Sequence, residues 1–204
     1  MRRLFILSAA LLSLSLPAHA ESEVRQLAAK DNPHIQKAQE KAVEIAKSFT
    51  EQEIANLEVV KDGFGIIRSV RTTGKIVEKT VKQCGKDNPD MKDQMTSGFN
   101  DWQTGVMTVL AAKEKDMKAA INDGRFSKPK DVQSFLDLID KAAQKADDNR
   151  STGIKIISTP SSCEGLLKTM NGSAGKLEEL LGAVAFPVAE LKSRPAPRKA
   201  GGHE

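Results

Sequence analysis

The stretch that decides the fold is residues 50–85, TEQEIANLEVVKDGFGIIRSVRTTGKIVEKTVKQCG. Its apolar residues recur at steps of three and four, which is the spacing of one face of an α-helix. The residues predicted to face the core are Leu57, Val60, Phe64, Ile67, Val70, Gly74, Val77, Val81 and Cys84. Thr50 and Glu53 have the spacing of a capping box, and Gly85 suits a helix end. The stretch predicts one helix of about 34 residues, on the order of 50 Å long, which needs partners of matching length.

Two helices are predicted on either side of this one. Asn32 followed by Pro33 begins a helix of about sixteen residues, with an alanine-rich face. The residues of that face are Ile35, Ala38, Ala42, Ile45 and Phe49. After the long helix, Asn88 can cap a second long helix that begins at Pro89 and ends at Asp123-Gly124. Its predicted buried face is Met91, Met95, Gly98, Trp102, Gly105 or Val106, Val109, Met117 and Ala120 or Ile121.

The second half of the chain predicts two more helices. Ser127 opens one of about nineteen residues, whose buried face is Val132, Phe135, Leu136, Ile139, Ala142, Ala143 and Ala146. Residues 147–158 lose the helical period, and Ile154, Ile156 and Ile157 suggest a short extended crossing packed on the bundle. The last helix runs from Pro160 to about Ala185 and is ended or kinked by Pro187. A break at Asn171-Gly172-Ser173 would instead give two shorter helices.

The predicted domain organisation is an export signal followed by one helical domain. Residues 1–20 carry Arg2 and Arg3, a short apolar run and the small-residue frame Ala18-His19-Ala20, which is typical of a cleaved signal peptide. Residues 21–191 form the domain, and the basic tail of residues 192–204 is predicted to be disordered. We therefore expect a periplasmic or secreted protein that does not span a membrane once the signal is removed.

The fold class predicted from these segments is all-α, an antiparallel bundle of about four to five helices. Cys84 and Cys163 are the only cysteines, and an even count behind an export signal favours a disulfide. If successive helices are antiparallel, Cys163 returns to the end of the bundle where Cys84 lies. The sequence therefore predicts a Cys84–Cys163 bond that closes a loop of about eighty residues.

Composition argues against several classes of partner. The formal charge is +4, but Arg2 and Arg3 carry +2 and residues 192–204 carry +3, so residues 21–191 are left near −1. A nearly neutral domain does not predict nucleic-acid binding. The chain has no tyrosine and one tryptophan, whereas carbohydrate and single-strand sites depend on exposed aromatic side chains. These classes of partner are not expected.

The residues needed for catalysis or for cofactors are scarce. After signal removal only His34 and His203 remain as histidines, and neither has a predicted partner. Met91 and Met95 lie one helical turn apart, and thioether sulfur suits Cu(I), but methionine on a buried face more often fills the core. Scattered carboxylates fit solvated helix surfaces better than a glycosidase pair. We predict no catalysis, no cofactor and no metal.

Two binding functions remain as hypotheses. The first is a structural, adaptor or chaperone-like protein that binds an unidentified envelope or extracellular protein in a groove at Leu57, Val60 and Phe64, opened when the first helix lifts. The second is a carrier of a small apolar ligand in a pocket beside Trp102. Met95, Gly98 and Gly105 would line that pocket with Trp102. The two glycines equally suit close approach of a neighbouring helix, for which Gly175 and Gly182 are the predicted contacts.

Overall fold

The computed structural model describes residues 32–152 and 156–186. Those residues form five α-helices, namely α1 (Pro33–Ser48), α2 (Glu51–Asp87), α3 (Lys92–Asn122), α4 (Pro129–Ser151) and α5 (Pro160–Gly182), with a 3₁₀ turn at Pro89–Met91. No strand occurs within them. The all-α bundle with one disulfide is confirmed. The expected export signal and basic tail lie outside the described residues, as do Ile154 and Pro187.

Three predicted helix starts and one predicted end have the expected local chemistry. The side chain of Asn32 accepts a 3.3 Å hydrogen bond from the N–H of His34 at the start of α1. Thr50 and Glu53 form the capping box of α2, and Thr159 caps α5 by accepting from the N–H of Ser162 at 3.3 Å. After α3, Gly124 adopts a φ of 92°, a left-handed conformation that glycine takes without strain. These features are local, so the sequence predicts them well.

Two other predicted caps are wrong, and both residues contact distant parts of the chain. The side chain of Asn88 does not cap the turn that follows it. Its Nδ2 donates instead to the carbonyl of Cys84 at 3.1 Å, at the end of α2, and to that of Ser158 at 2.8 Å. Ser127 does not cap α4, whose N-cap position is Lys128. The backbone N–H of Ser127 donates to Oε1 of Glu53 at 2.6 Å. Both residues therefore join separate parts of the chain.

The central helix α2 lies antiparallel to α3 and parallel to α4. Arg71 of α2 pairs with Glu114 of α3, while Gly85 near the opposite end of α2 lies against Lys92 at the start of α3. Along α4, Arg68 of α2 bonds Asp140 at 3.1 Å, well beyond the Glu53–Ser127 contact at the start of both helices. Successive helices therefore run up and down, as the sequence predicts.

The outer helices α1 and α5 complete the bundle on different neighbours. α1 packs mainly on α4 and runs antiparallel to it, because Asn32 reaches the carbonyl of Ala142 while Lys41 reaches Asp131, each at 2.7 Å. α5 packs mainly on α3 and runs parallel to it. Trp102 Nε1 donates to Ser173 Oγ at 3.3 Å. The last described residues, 184–186, reach the early part of α2, where Phe186 lies against Gly63.

The buried core follows the predicted faces with additions on α2 and α3. On α2 the predicted residues are buried except Gly74 and Val77, which are half-buried; the buried Gly63 was not predicted. α3 buries Met95, Phe99, Trp102, Val106, Leu110, Met117, Ala120 and Ile121. Phe99 and Leu110 are absent from the predicted face. α3 packs against both α2 and α5, so it buries more than one stripe.

The later helices differ from prediction in length. α4 continues to Ser151, although the apolar periodicity of the sequence ends before residue 147. At that position ion pairs take the place of an apolar contact, because Asp147 bonds Arg68 and Arg150, each at 2.6 Å. Ile157 was expected to pack on the bundle but is 73% exposed. α5 is one helix through Asn171 to Ser173 and ends at Gly182, slightly before the predicted end.

Candidate protein-binding groove

An open apolar depression of about 460 Å³ lies between α1 and α4. The residues that line it, called here the α1–α4 groove, are Ile35, Ala38, Gln39 and Ala42 of α1 with Phe135, Ile139, Ala142, Ala143 and Ala146 of α4. All except Gln39 are apolar. The sequence places the apolar residues of this lining on buried faces, and several are in fact only half-buried. The two faces meet, but their alanines are too short to fill the space between the helices.

Polar contacts hold the two walls of the α1–α4 groove together. Asn32 Nδ2 donates to the carbonyl of Ala142 at 2.7 Å, and Lys41 Nζ pairs with Asp131 at 2.7 Å. The hydrogen bond to Asp131, followed by that to Glu44, raises the pKa of Lys41, so the ammonium stays charged. Ile45 and Val132, both fully buried, continue the α1–α4 contact into the core. The groove is therefore built into the helix pair.

The apolar surface continues along α1 beyond the groove itself. Val43 follows Gln39 by one helical turn, which places the two on the same side of the helix. Its side chain is 54% exposed. A solvent-exposed valine beside an apolar depression extends the surface that a partner could bury.

The structure places the first predicted groove inside the core. Leu57 and Phe64 are 7% exposed and Val60 is 0% exposed. Nearby, a Cβ at Gly63 would lie 2.5 Å from the ring of Phe186, so the 184–186 segment lies directly on this part of α2. A partner reaches Leu57, Val60 and Phe64 only if covering elements move, whereas the α1–α4 groove is open as it stands.

The structure packs the residues of the second predicted site, beside Trp102, against α5. Met95 and Trp102 are buried. A Cβ at Gly98 would lie 2.7 Å from Cδ2 of Leu167, and one at Gly105 would meet the carboxylate of Glu178. The two glycines thus allow close approach of α5. The predicted contacts Gly175 and Gly182 are wrong, because a Cβ on either would meet nothing within 4 Å.

The predicted disulfide is present at the C-terminal end of α2. The sulfur atoms of Cys84 and Cys163 are 2.01 Å apart, with their Cα atoms at 5.8 Å, and both residues are buried. This contact confirms the predicted return of the chain to the end of α2. A cysteine pair at bonding distance is consistent with an oxidising compartment.

The carboxylate with the most strongly lowered pKa, that of Glu53, serves a structural role. Glu53 is buried, and hydrogen bonds from the backbone of Thr50 and then of Ser127 lower its pKa to about 2. The hydrogen bond from Arg68 likewise lowers the pKa of Asp147.

Within residues 32–152 and 156–186, no group of three or more histidine, cysteine, aspartate or glutamate side chains is arranged to hold a metal ion. Nor does any helix there have the length and hydropathy to cross a membrane.

No family model, curated protein or solved structure matches the chain. The candidate site therefore rests on the geometry of the chain itself. The signal for it in the sequence is the abundance of alanine on the facing sides of α1 and α4, which the periodicity alone assigns to an ordinary core.

Proposed function

We propose that the protein binds an amphipathic helix of another exported protein in the α1–α4 groove, in an adaptor or chaperone-like role, and catalyses no reaction. The observation that supports this proposal is the lining of the groove, where Gln39 is the single polar residue along an open depression between two helices. The expected export signal and the buried cysteine pair favour a partner in the periplasm or outside the cell.

The shape of the groove favours a helix as the occupant. Its α4 wall extends from Phe135 to Ala146, which is about three helical turns or on the order of 16 Å. A partner helix lying along this wall would present anchors at positions i, i+3 or i+4, and i+7. Alanine side chains on both walls let a third helix approach closely, because they add little bulk between the backbones.

A small-molecule carrier is the alternative, and the surroundings of Trp102 give it less support than the groove gives to protein binding. Small-ligand sites enclose most of their ligand. Leu167 and Met170 already occupy the space beside Gly98. The α1–α4 groove is open along its length, which suits a macromolecule better than an enclosed ligand.

The test uses two exposed valines as a matched pair. Val43 adjoins the groove and Val59 lies on α2, with exposed fractions of 54% and 43%. Introducing glutamate at either position leaves the core intact, so circular dichroism should be unchanged. Photocrosslinkers at Gln39 and, as a control, at Gln52 on α2 would report contacts made inside cells. We expect a partner adduct at Gln39 only, lost in Val43→Glu and retained in Val59→Glu.

Other outcomes separate the alternatives. Equal crosslinking at Gln39 and Gln52, or an adduct that survives Val43→Glu, would reject the groove as the binding site. An adduct with the mass of a second copy of this chain would make the groove a self-association surface, which light scattering would show directly. A fluorescent apolar dye that binds stoichiometrically and is insensitive to Val43→Glu would favour the carrier.

A further inference from the structure

A stripe of lysines lies on α2 near its disulfide-bonded end. Lys75, Lys79, Lys82 and Lys86 are separated by four, three and four residues, so they share one face of the helix. All four are exposed. They line one shallow surface depression together with Glu78 and Gln83. This lysine stripe is the basic surface on which the inference rests.

Nearby acids neutralise the lysine stripe only in part. Lys82 pairs with Glu78 at 2.6 Å, but both side chains are well exposed, and such pairs are weak in water. Among the described residues, no salt bridge joins Lys75, Lys79 or Lys86 to an acid. The hydroxyl of Ser158 donates to Asp87 near the end of the stripe. On α2 the four lysines outnumber the acids Glu78 and Asp87 that border them. In the depression shared with α4, Asp147 and Asp148 are matched by Arg68 and Arg150, so the surface keeps a net positive charge over about three helical turns.

Two isoleucines stand out of the surface beside the same lysines. Ile157 is 73% exposed and Ile76 is 61% exposed, the highest fractions among the large apolar side chains of the described residues. Lys79 shares one surface depression with Ile157 and another with Ile76. The lysine stripe is therefore flanked by projecting apolar side chains.

We propose that this face of α2 docks on an anionic phospholipid surface, with the lysines on headgroup phosphates and the two isoleucines entering the interface. Lysines alone would suit any polyanion, because their attraction depends on charge. Exposed isoleucines gain nothing from a soluble polyanion, but they gain free energy when they leave water at the acyl boundary. The combination of both features favours a lipid surface. The face does not share residues with the α1–α4 groove, so this inference and the proposed function can fail separately.

Vesicle binding by the purified exported protein, from which the predicted signal peptide has been removed, tests the proposal. We expect the protein to sediment with vesicles of equal parts phosphatidylglycerol and phosphatidylcholine at 0.1 M salt, and to stay in solution with phosphatidylcholine alone. The double variant Lys75→Glu, Lys79→Glu should weaken vesicle binding by at least about 20-fold, since each lysine near an anionic surface raises the affinity several-fold. Ile157→Ser should weaken it by several-fold.

The control variants carry the same changes on other surfaces. Lys115→Glu with Lys118→Glu makes the same charge change on exposed positions of α3, and Leu180→Ser removes an apolar side chain that is 47% exposed on α5. Both should bind anionic vesicles like the unmodified protein. Equal loss in the control variants would reject this face as the docking site. Absence of binding to anionic vesicles would reject a lipid surface as the ligand. So would undiminished vesicle binding by Ile157→Ser, because that is the result expected for a ligand recognised by charge alone, such as the soluble polyanion heparin.

Discussion

The backbone N–H of Ser127 donates a 2.6 Å hydrogen bond to Oε1 of Glu53, joining the starts of α4 and α2 across 74 residues. The other carboxylate oxygen of Glu53 accepts from the N–H of Thr50 at 2.8 Å and from its hydroxyl at 2.9 Å. One buried carboxylate thus satisfies backbone donors at two helix starts. Because each donor favours the charged form, the carboxylate is ionised over most of the pH scale.

The free energy of unfolding should fall in acid as Glu53 takes up a proton. Its folded pKa of about 2 lies below its ordinary value of 4.5, so its contribution is complete above about pH 4.5 and is lost as the pH falls towards 2. We expect Glu53→Gln to cost about 2 kcal/mol at pH 7, measured by denaturant unfolding. The difference between variant and parent should shrink by pH 2. Glu51→Gln, at an exposed position of the same helical turn, is the control; an equal cost there would contradict the role of Glu53.

Three helical glycines should respond differently to alanine. At Gly175 a Cβ meets nothing within 4 Å, so Gly175→Ala should stabilise the protein by up to about 1 kcal/mol. At Gly98 the new atom would lie 2.7 Å from buried Leu167, and we expect a net loss of about 1–2 kcal/mol from overpacking. At Gly105 the obstacle is the end of the flexible Glu178 side chain, so the change should be close to neutral. Equal effects at Gly98 and Gly175 in thermal unfolding would contradict the close α3–α5 approach.

The fluorescence of Trp102 should report the packing of α3 against α5. The indole is 3% exposed, and it is the only tryptophan of the chain. We expect blue-shifted emission in the native protein and a red shift on unfolding, because the ring then enters water. Ser173→Ala should keep the blue shift while costing about 1 kcal/mol, since it removes the acceptor of the indole N–H. Native emission like that of free tryptophan would contradict the burial of this face.

Breaking the disulfide should lower the free energy of unfolding without changing the helix content. The bond spans 79 residues of sequence, and a loop of that length corresponds to about 4.5 kcal/mol in the chain-entropy model. The Cys84→Ala, Cys163→Ala double variant should therefore unfold at lower denaturant concentration. Peptide mapping of the exported parent without reductant should recover the two cysteine peptides linked. Two alkylatable thiols in that sample would contradict the bond.

The sequence predicts this fold well where the signals are local. The capping box at Thr50 and the apolar period of α2 involve neighbours along the chain, so the start and the buried face of the longest helix are correctly predicted. Its predicted end at Gly85 is wrong, because Gly85 is helical and α2 continues to Asp87. The caps assigned to Asn88 and Ser127 are wrong. The Asn88 amide bonds the carbonyls of Cys84 and of Ser158, the latter 70 residues away, and Ser127 lies one residue before the N-cap position of α4, where its backbone N–H contacts Glu53, 74 residues away. Periodicity shows which side of a helix is apolar, but it does not show which helix will face it.

The same reason explains what could be predicted of the candidate sites. The disulfide followed from helix order and length, since only two cysteines were available. The α1–α4 groove depends on how far apart two alanine-rich faces are held, which Asn32 and Lys41 fix through contacts on α4. A spacing between helices has no signature in a one-dimensional pattern. Leu57, Val60 and Phe64 have the pattern of a groove or of a core, and only their burial distinguishes the two.

The disulfide also determines how the molecule would bear mechanical tension. Because Cys84 lies in the last turn of α2 and Cys163 in the first turn of α5, a force pulling the two chain ends apart passes from one helix to the other directly through the sulfur atoms. α3 and α4 lie within the bridged loop and carry no load. Single-molecule stretching of the oxidised protein should therefore release only the segments outside the bridge, and addition of reductant should lengthen the extension by the hidden loop. Tethered by its ends, the chain would yield at α1, α2 and α5 while α3 and α4 remained unstretched.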